Sequence, residues 1–285
     1  MSIKREPVAL NFYARDCNKE RIEGYLKGFS LPVACGNIIA GIVPHAGWAY
    51  SGRIAARVFK SIHDQGLRDT FLLLGAIHNL PERNSVYSSG SWLTPLGEIE
   101  VDQDFAGVLL DNFQDELKDD STAHLQEHSL EVQLPFIKYF FPLAKIVPIR
   151  IAADNRAASL GKKIADLMIK NKNKIAVIGT TDLTHYGDAY GFTPAGYGAK
   201  GLSWMRDNDA RIVNLALEMK AEDIVAEAGM HCNACGSGAL AATVAIARSL
   251  GASKGVLLEY TTSHDVSQEK DFYLGVGYAG IIFCK

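Results

Sequence analysis

Residues 38–52 read IIAGIVPHAGWAYSG, from Ile38 to Gly52. The first six, Ile38 to Val43, are a short apolar run rich in β-branched residues, the pattern of a strand buried on both faces. Pro44 stops the run and His45 follows at once. Gly47 and Gly52 let the backbone turn tightly, and Ile54, Ala55, Val58, Phe59 and Ile62 then recur at helical spacing. A strand–loop–helix unit of this kind belongs to an open α/β sheet, which binds ligands at the carboxyl ends of its strands. His45 stands at such an end.

The same event recurs three times. Thr70 to Ile77 runs into His78, Lys174 to Gly179 runs into Asp182 and His185, and Val256 to Tyr260 runs into His264 and Asp265. Four of the eight histidines thus follow apolar strands. If the strands are mostly parallel, these positions meet at one edge and form a shared polar site.

The rest of the chain fits one large α/β unit. Its 285 residues can bury one substantial core, and we expect a single domain over residues 1–285. A hydrophobic content of 48% with 21% charged residues is globular. A net charge of −3 with scattered basic residues argues against a nucleic-acid or anionic-membrane surface. No apolar stretch reaches the roughly 18 residues of a membrane span, and no signal-peptide core follows Met1. The five cysteines are odd in number and unevenly spaced, which predicts a reduced, cytoplasmic protein.

Strands alternate with helices along the chain, the signature of a layered α/β/α domain. Asp102 is placed to cap a helix running to Phe113. Gln126 to Phe141 reads as a helix kinked near Pro135, with Glu127 and Glu131 on one face and His124 and His128 four apart. Pro148 inside the strand Lys145–Ile151 predicts an edge position or a bulge. His63 falls on an exposed helix end.

Several chemistries compete for the histidines. Imidazole suits zinc, copper and iron, and a pair such as His45 and His78 needs a third donor. Asp182, Cys235, Asp265 and the glutamates near His128 are the candidates. Cys235 precedes Gly236-Ser237-Gly238 at an expected helix start, where the backbone N–H groups lower a thiol pKa. Cys232 and Cys235 form a C-x-x-C pair, which alone is half a zinc site. Asp182 and His185 offer an acid and an imidazole for proton transfer. No G-x-S-x-G elbow, P-loop or dinucleotide-binding glycine pattern is present.

Taken together, PHAGWAYSG, Gly75-Ala76-Ile77-His78-Asn79, EHSLEVQLPFI, DLTHYG, Ala234-Cys235-Gly236, YTTSHDVS and YLGVGYAGI resemble the MEMO family, whose microbial members are known as protein B of the AmmeMemoRadiSam system. The motifs run in order from about residue 7 to 283. The resemblance implies a three-layer α/β/α sandwich with a mixed central sheet, similar to class III extradiol dioxygenases. It implies metal ligands at His45, His78 and Cys235, with His185 and Asp182 as catalytic neighbours. Trp48, Tyr50, Asn79, His128, Glu131 and His264 are candidate pocket-lining residues. In the dioxygenases the third ligand is a glutamate; Cys235 in its place disfavours plain ring cleavage and favours softer ions, so iron or copper, with zinc as an alternative, is the expected cofactor. The implied function is a metal-dependent redox or dioxygenase-like enzyme. The alternatives are a phosphopeptide-binding adaptor or a copper- or iron-handling protein that uses the same pocket. A small molecule or peptide is the expected ligand. The system name implies a functional link to AMMECR1-domain and radical SAM proteins.

Overall fold

The structure is a computed structural model and describes residues 4–285 apart from 14, 16, 32–34, 79–82 and 171–173. In chain order the strands are β1 (Lys4–Arg5), β2 (Ile38–Val43), β3 (Thr70–Gly75), β4 (Ser85–Val86), β5 (Ser91–Thr94), β6 (Gly97–Glu100), β7 (Lys118–Asp119), β8 (Lys145–Arg150), β9 (Ile175–Thr180), β10 (His185–Tyr186), β11 (Lys254–Thr262) and β12 (Gly275–Cys284). The helices are α1 (Leu10–Tyr13), α2 (Lys19–Leu26), α3 (Trp48–His63), α4 (Gln103–Asn112), α5 (Leu134–Phe140), α6 (Ala157–Lys170), α7 (Gly198–Leu217), α8 (Ala221–His231), α9 (Ser237–Ser249) and α10 (Ser263–Ser267).

The main sheet is mixed. Its centre is the parallel set β2-β9-β3-β8, flanked by antiparallel β12 on one side and antiparallel β4 on the other. A small second sheet joins β1, β5 and β6.

Strand alternation builds the layers. Leu72 and Leu74 of β3 pack with Ile164 of α6 and Ala242 of α9 in one cluster, while Phe71 and Leu73 pack with Phe59 of α3 and Phe136 of α5 in another. The outcome is the three-layer α/β/α sandwich with a mixed central sheet that the sequence predicts. Asp102 caps α4 as expected, its Oδ1 accepting the Phe105 N–H at 3.1 Å. His63 ends α3 with an exposed side chain.

Three expectations are corrected. Residues 126–130 are not helical: a 3₁₀ turn at Glu131–Gln133 leads into α5, and Pro135 sits in the first turn of that helix. Proline is tolerated there because the first-turn N–H groups lack helical partners in any case. Pro148 lies within the sheet, paired with Leu73 of β3. Its carbonyl accepts the Tyr87 N–H just past the two-residue β4, so its missing donor faces the side where pairing is shortest. Finally, Cys35 is disulfide-bonded to Cys284, leaving Cys17, Cys232 and Cys235 as free thiols. Spacing cannot reveal this pair, whose members are 249 residues apart and meet through β12 pairing with β2. No helix among the described residues is long and apolar enough to cross a membrane.

Candidate metal centre

Register explains why the site forms. Val43 of β2 pairs with Thr180 of β9, and Gly179 pairs with Leu74 of β3, so the three strands end nearly level. His45, Asp182 and His78 therefore leave from adjacent strands, roughly 4.8 Å apart. Strand β11 runs in the same direction as β2, since both are antiparallel to β12. It lies two strands away from β2, so His264 emerges on the flank, where its ring meets Phe272 edge-on at 5.4 Å.

The third member of the cluster comes from elsewhere. Donor atoms of His45, His78 and His128 all lie within 4.8 Å of one another. The His78 and His128 rings stack at 4.7 Å, and each stands edge-on to His45. His45 is buried, His128 half-buried and His78 exposed.

His128 lies on irregular backbone that is fastened to both strand ends. Ser129 Oγ accepts the Ala76 N–H at 3.2 Å, two residues before His78, and Gln133 Nε2 donates to the Pro44 carbonyl at 2.9 Å, next to His45. Gly75 permits the approach: a Cβ there would stand 2.7 Å from Leu130 Cγ.

Cys235 reaches the cluster through His45, with Sγ 3.2 Å from Nε2. Its N–H donates to the Asp182 carbonyl at 3.2 Å, and the Gly236 N–H donates to Thr181 Oγ1 at 2.9 Å. A Cβ on Gly236 would collide with the Thr180 carbonyl oxygen. Gly236→Ala should therefore displace Cys235 and destabilise the fold by about 1–3 kcal/mol, read as a fall in the thermal midpoint.

The electrostatics follow from burial. The Cys235 thiol is pushed up to about 12 by burial, helped by the nearby Asp182 charge. This reverses the expectation of a lowered thiol pKa: α9 does begin two residues later, but desolvation outweighs its N-terminus. Burial, reinforced by the neighbouring imidazoles, lowers His45 well below the usual value; His78, open to solvent on one side but desolvated where its ring packs against His45 and His128, is lowered to about 3. Both rings are neutral at pH 7, so each keeps a free lone pair. His45 Nδ1 is buried with no hydrogen-bond partner among the described residues.

Asp182 Oδ1 accepts the His45 N–H at 2.8 Å and so fixes the loop that carries the imidazole. Burial raises its carboxyl to about 6, opposed by the N–H groups of His45 and Ala46. His185 lies on β10 with its ring 4.9 Å from Tyr190 and its Nε2 buried without a partner among the described residues. Burial lowers its pKa, with Asp182 opposing. The segment is held from behind, because Thr184 donates its N–H to Asp209 and Asn208 Nδ2 donates to Thr184 Oγ1.

The remaining sequence candidates divide. Trp48 is core rather than open lining: its ring stacks on Phe136 at 4.1 Å and its Nε1 donates to the Val132 carbonyl. Tyr50 is 45% exposed, open to solvent beside the His45 loop. Glu131 is fully buried, and its carboxylate is taken up by Arg5, Val8, Ala9 and Tyr13. Asn79 lies outside the described residues. His124 is buried away from the cluster against Ser85, Tyr87 and Trp92. Sequence reasoning gave His128 a peripheral place, because nothing in its spacing shows that an irregular segment folds back over two strand ends.

Comparison with known proteins settles the family. The model of the Memo-like protein family matches residues 5–282. The chain belongs to the Memo-like family. This Memo-like chain is 37% identical to a MEMO1 family protein of Thermococcus onnurineus, over 99% of its own length and 100% of the relative's. It is also 37% identical to one from Pyrococcus furiosus, over 99% of each chain. The fold alone is shared with the crystal structure of an uncharacterized Escherichia coli K12 protein, at 10% identity and a TM-score of 0.52, covering 85% of the Memo-like chain and 99% of the other.

Proposed function

We propose that this Memo-like protein is a metal-dependent redox enzyme that holds a single iron or copper ion at the sheet edge. The observation that carries this reading is the convergence of His45, His78 and His128 within 4.8 Å. Their chemistry fits such an ion. The rings of His45 and His78 are neutral, His45 carries a buried nitrogen with no partner among the described residues, and imidazole suits both metals. His45 and His78 are the shared donors, with His128 and the Cys235 thiol on either side as the groups that complete the set. Bound there, the metal would supply electron-transfer capacity and Lewis acidity.

The other residues do the work of positioning and proton transfer. Asp182 locks the His45 loop through its backbone. His185, neutral and with a free nitrogen, accepts or returns a proton beside the cluster. Tyr190 packs against it and fixes the ring.

Elemental analysis of protein purified without a chelating tag tests the reading. Wild type should carry close to one equivalent of iron or copper. His45→Ala should carry none, and comparing His128→Ala with Cys235→Ala shows which completes the set. His185→Ala should keep the metal but lose O₂ consumption. Absence of metal from wild type, even after anaerobic reconstitution, would sink the proposal in favour of a peptide- or small-molecule-binding pocket. An ion retained with nothing lost on His185→Ala would favour a metal carrier.

A further inference from the structure

The segment that carries His128 has no helix or strand to hold it, yet it must keep one imidazole in place against two others. Its anchors on the sheet side are Ser129 and Gln133. On the opposite side stands a buried cation. Arg5 is 5% exposed, and its guanidinium makes three bonds to this segment. Nε donates to the His124 carbonyl at 2.9 Å, Nη2 to the Glu127 carbonyl at 2.6 Å, and Nη1 pairs with Glu131 Oε2 at 2.7 Å. The three acceptors bracket His128 on both sides. The guanidinium also rests on the Trp92 ring, 3.9 Å from its centroid.

The grip is returned. Glu131 accepts the Val8 and Ala9 N–H groups and the Tyr13 hydroxyl, all on the N-terminal arm. Between these points Phe12 lays its ring 5.1 Å from that of His128, and the Phe12 carbonyl passes close to Gly47 in the His45 loop. A lysine could keep the ion pair, but its one ammonium cannot span two carbonyls and a carboxylate in the fixed fork of a guanidinium.

We propose that Arg5 is a positioning residue of the metal centre: by clamping residues 124–131 it sets the His128 imidazole against His45 and His78. The inference rests on the metal reading for its consequence, though not for its geometry. Groups behind the ligands of a metal site typically change its affinity 10–100-fold when they are lost.

Two measurements on the full chain test it. In the metal-free protein, the His128 ring-proton NMR shifts are set by the neighbouring Phe12 and His78 rings. Arg5→Lys should move them and leave those of His63, at the far end of α3, unchanged. In Co²⁺ titrations, Arg5→Lys and His128→Ala should each weaken binding roughly 10–100-fold, and the double variant should bind no more weakly than His128→Ala alone. Wild-type His128 shifts in a folded Arg5→Lys variant would overturn the proposal, as would losses that add in the double variant. Wild type that binds no Co²⁺, or His45→Ala that binds it undiminished, would defeat the metal reading instead; the NMR comparison still decides the role of Arg5. If Arg5→Lys does not fold, Glu131→Gln replaces it. That variant keeps an acceptor for the arm amides and Tyr13 but removes the charge facing Arg5, and the same His128 resonances should shift.

Discussion

Breaking the Cys35–Cys284 disulfide, by Cys35→Ser or by dithiothreitol, should lower stability by about 2–5 kcal/mol. For a chain of this size that amounts to a fall of roughly 5–15 °C in the thermal midpoint. The bridge joins residues 249 apart, so in the unfolded chain it closes nearly the whole polypeptide into one loop, which is where the largest entropic gain arises. Cys35→Ser suits the test because it leaves the buried Cys284 side chain in place. Metal stoichiometry should not change. Cys284 pairs with Ile38 at the amino end of β2, whereas His45 follows the carboxyl end, six residues of strand away. Thiol titration is the decisive control: three free thiols are expected in the oxidised protein, and five would show that the bridge does not form.

Acid should destabilise the metal-free protein steeply, and His124 should account for a separable part of the loss. His124 is fully buried, and burial holds its pKa down to about 3, with the Ser85 carbonyl opposing and the charges of Arg150 and Arg5 adding. Unfolded, the same group titrates near about 6.5. The unfolded chain therefore binds the extra proton between these values. Stability from His124 is complete above about pH 6.5 and drains away toward pH 3, at up to about 1.4 kcal/mol per pH unit. His45 and His78 carry the same sign. Asp182 and Asp209 carry the opposite one: burial raises each to about 6, so the native state holds their protons more tightly and gains stability as pH falls toward about 4. The loss should therefore be shallow between pH 6 and 4 and steep below. His124→Gln keeps a donor for Ser85 but cannot titrate. Denaturant titrations across this range should show its slope flatter by up to one proton, and a slope equal to wild type would contradict the assignment.

The sequence made the sheet legible because buried parallel strands read as uninterrupted apolar runs. β2 falls on the run that marks it, β3 starts with its run but ends two residues before it, and β9 is displaced by one residue. The same runs put His45, His78 and Asp182 at one edge, since parallel strands all release their next loop at the carboxyl side of the sheet. What the runs could not carry is anything that depends on irregular backbone or lateral order. Ser129 and Leu130 both bond to the Glu127 carboxylate in a loop, and that local network replaces the first part of the helix suggested by the spacing of residues 126–141, of which α5 is the remainder. His264 follows a strand as His45 does, yet it is set aside because β12 intervenes between β11 and β2, which spacing along one chain does not encode. Arg5 is invisible for the same reason: its partners are 119 to 126 residues away.

The level ends of β2, β9 and β3 also bear on when this centre comes into being. Its donors sit at positions 45, 78 and 128, and the strand between the first two is contributed by residues 175–180. No fragment of the chain that stops short of β9 can set the spacing of His45 and His78. The contacts that define the site are all of long sequence separation, the kind that form late because loop closure must precede them. The nascent polypeptide must therefore grow past half its length, to Thr180 at the end of β9, before its three histidines can act together. Any ion that requires all three imidazoles is therefore kept from incompletely folded chains by topology.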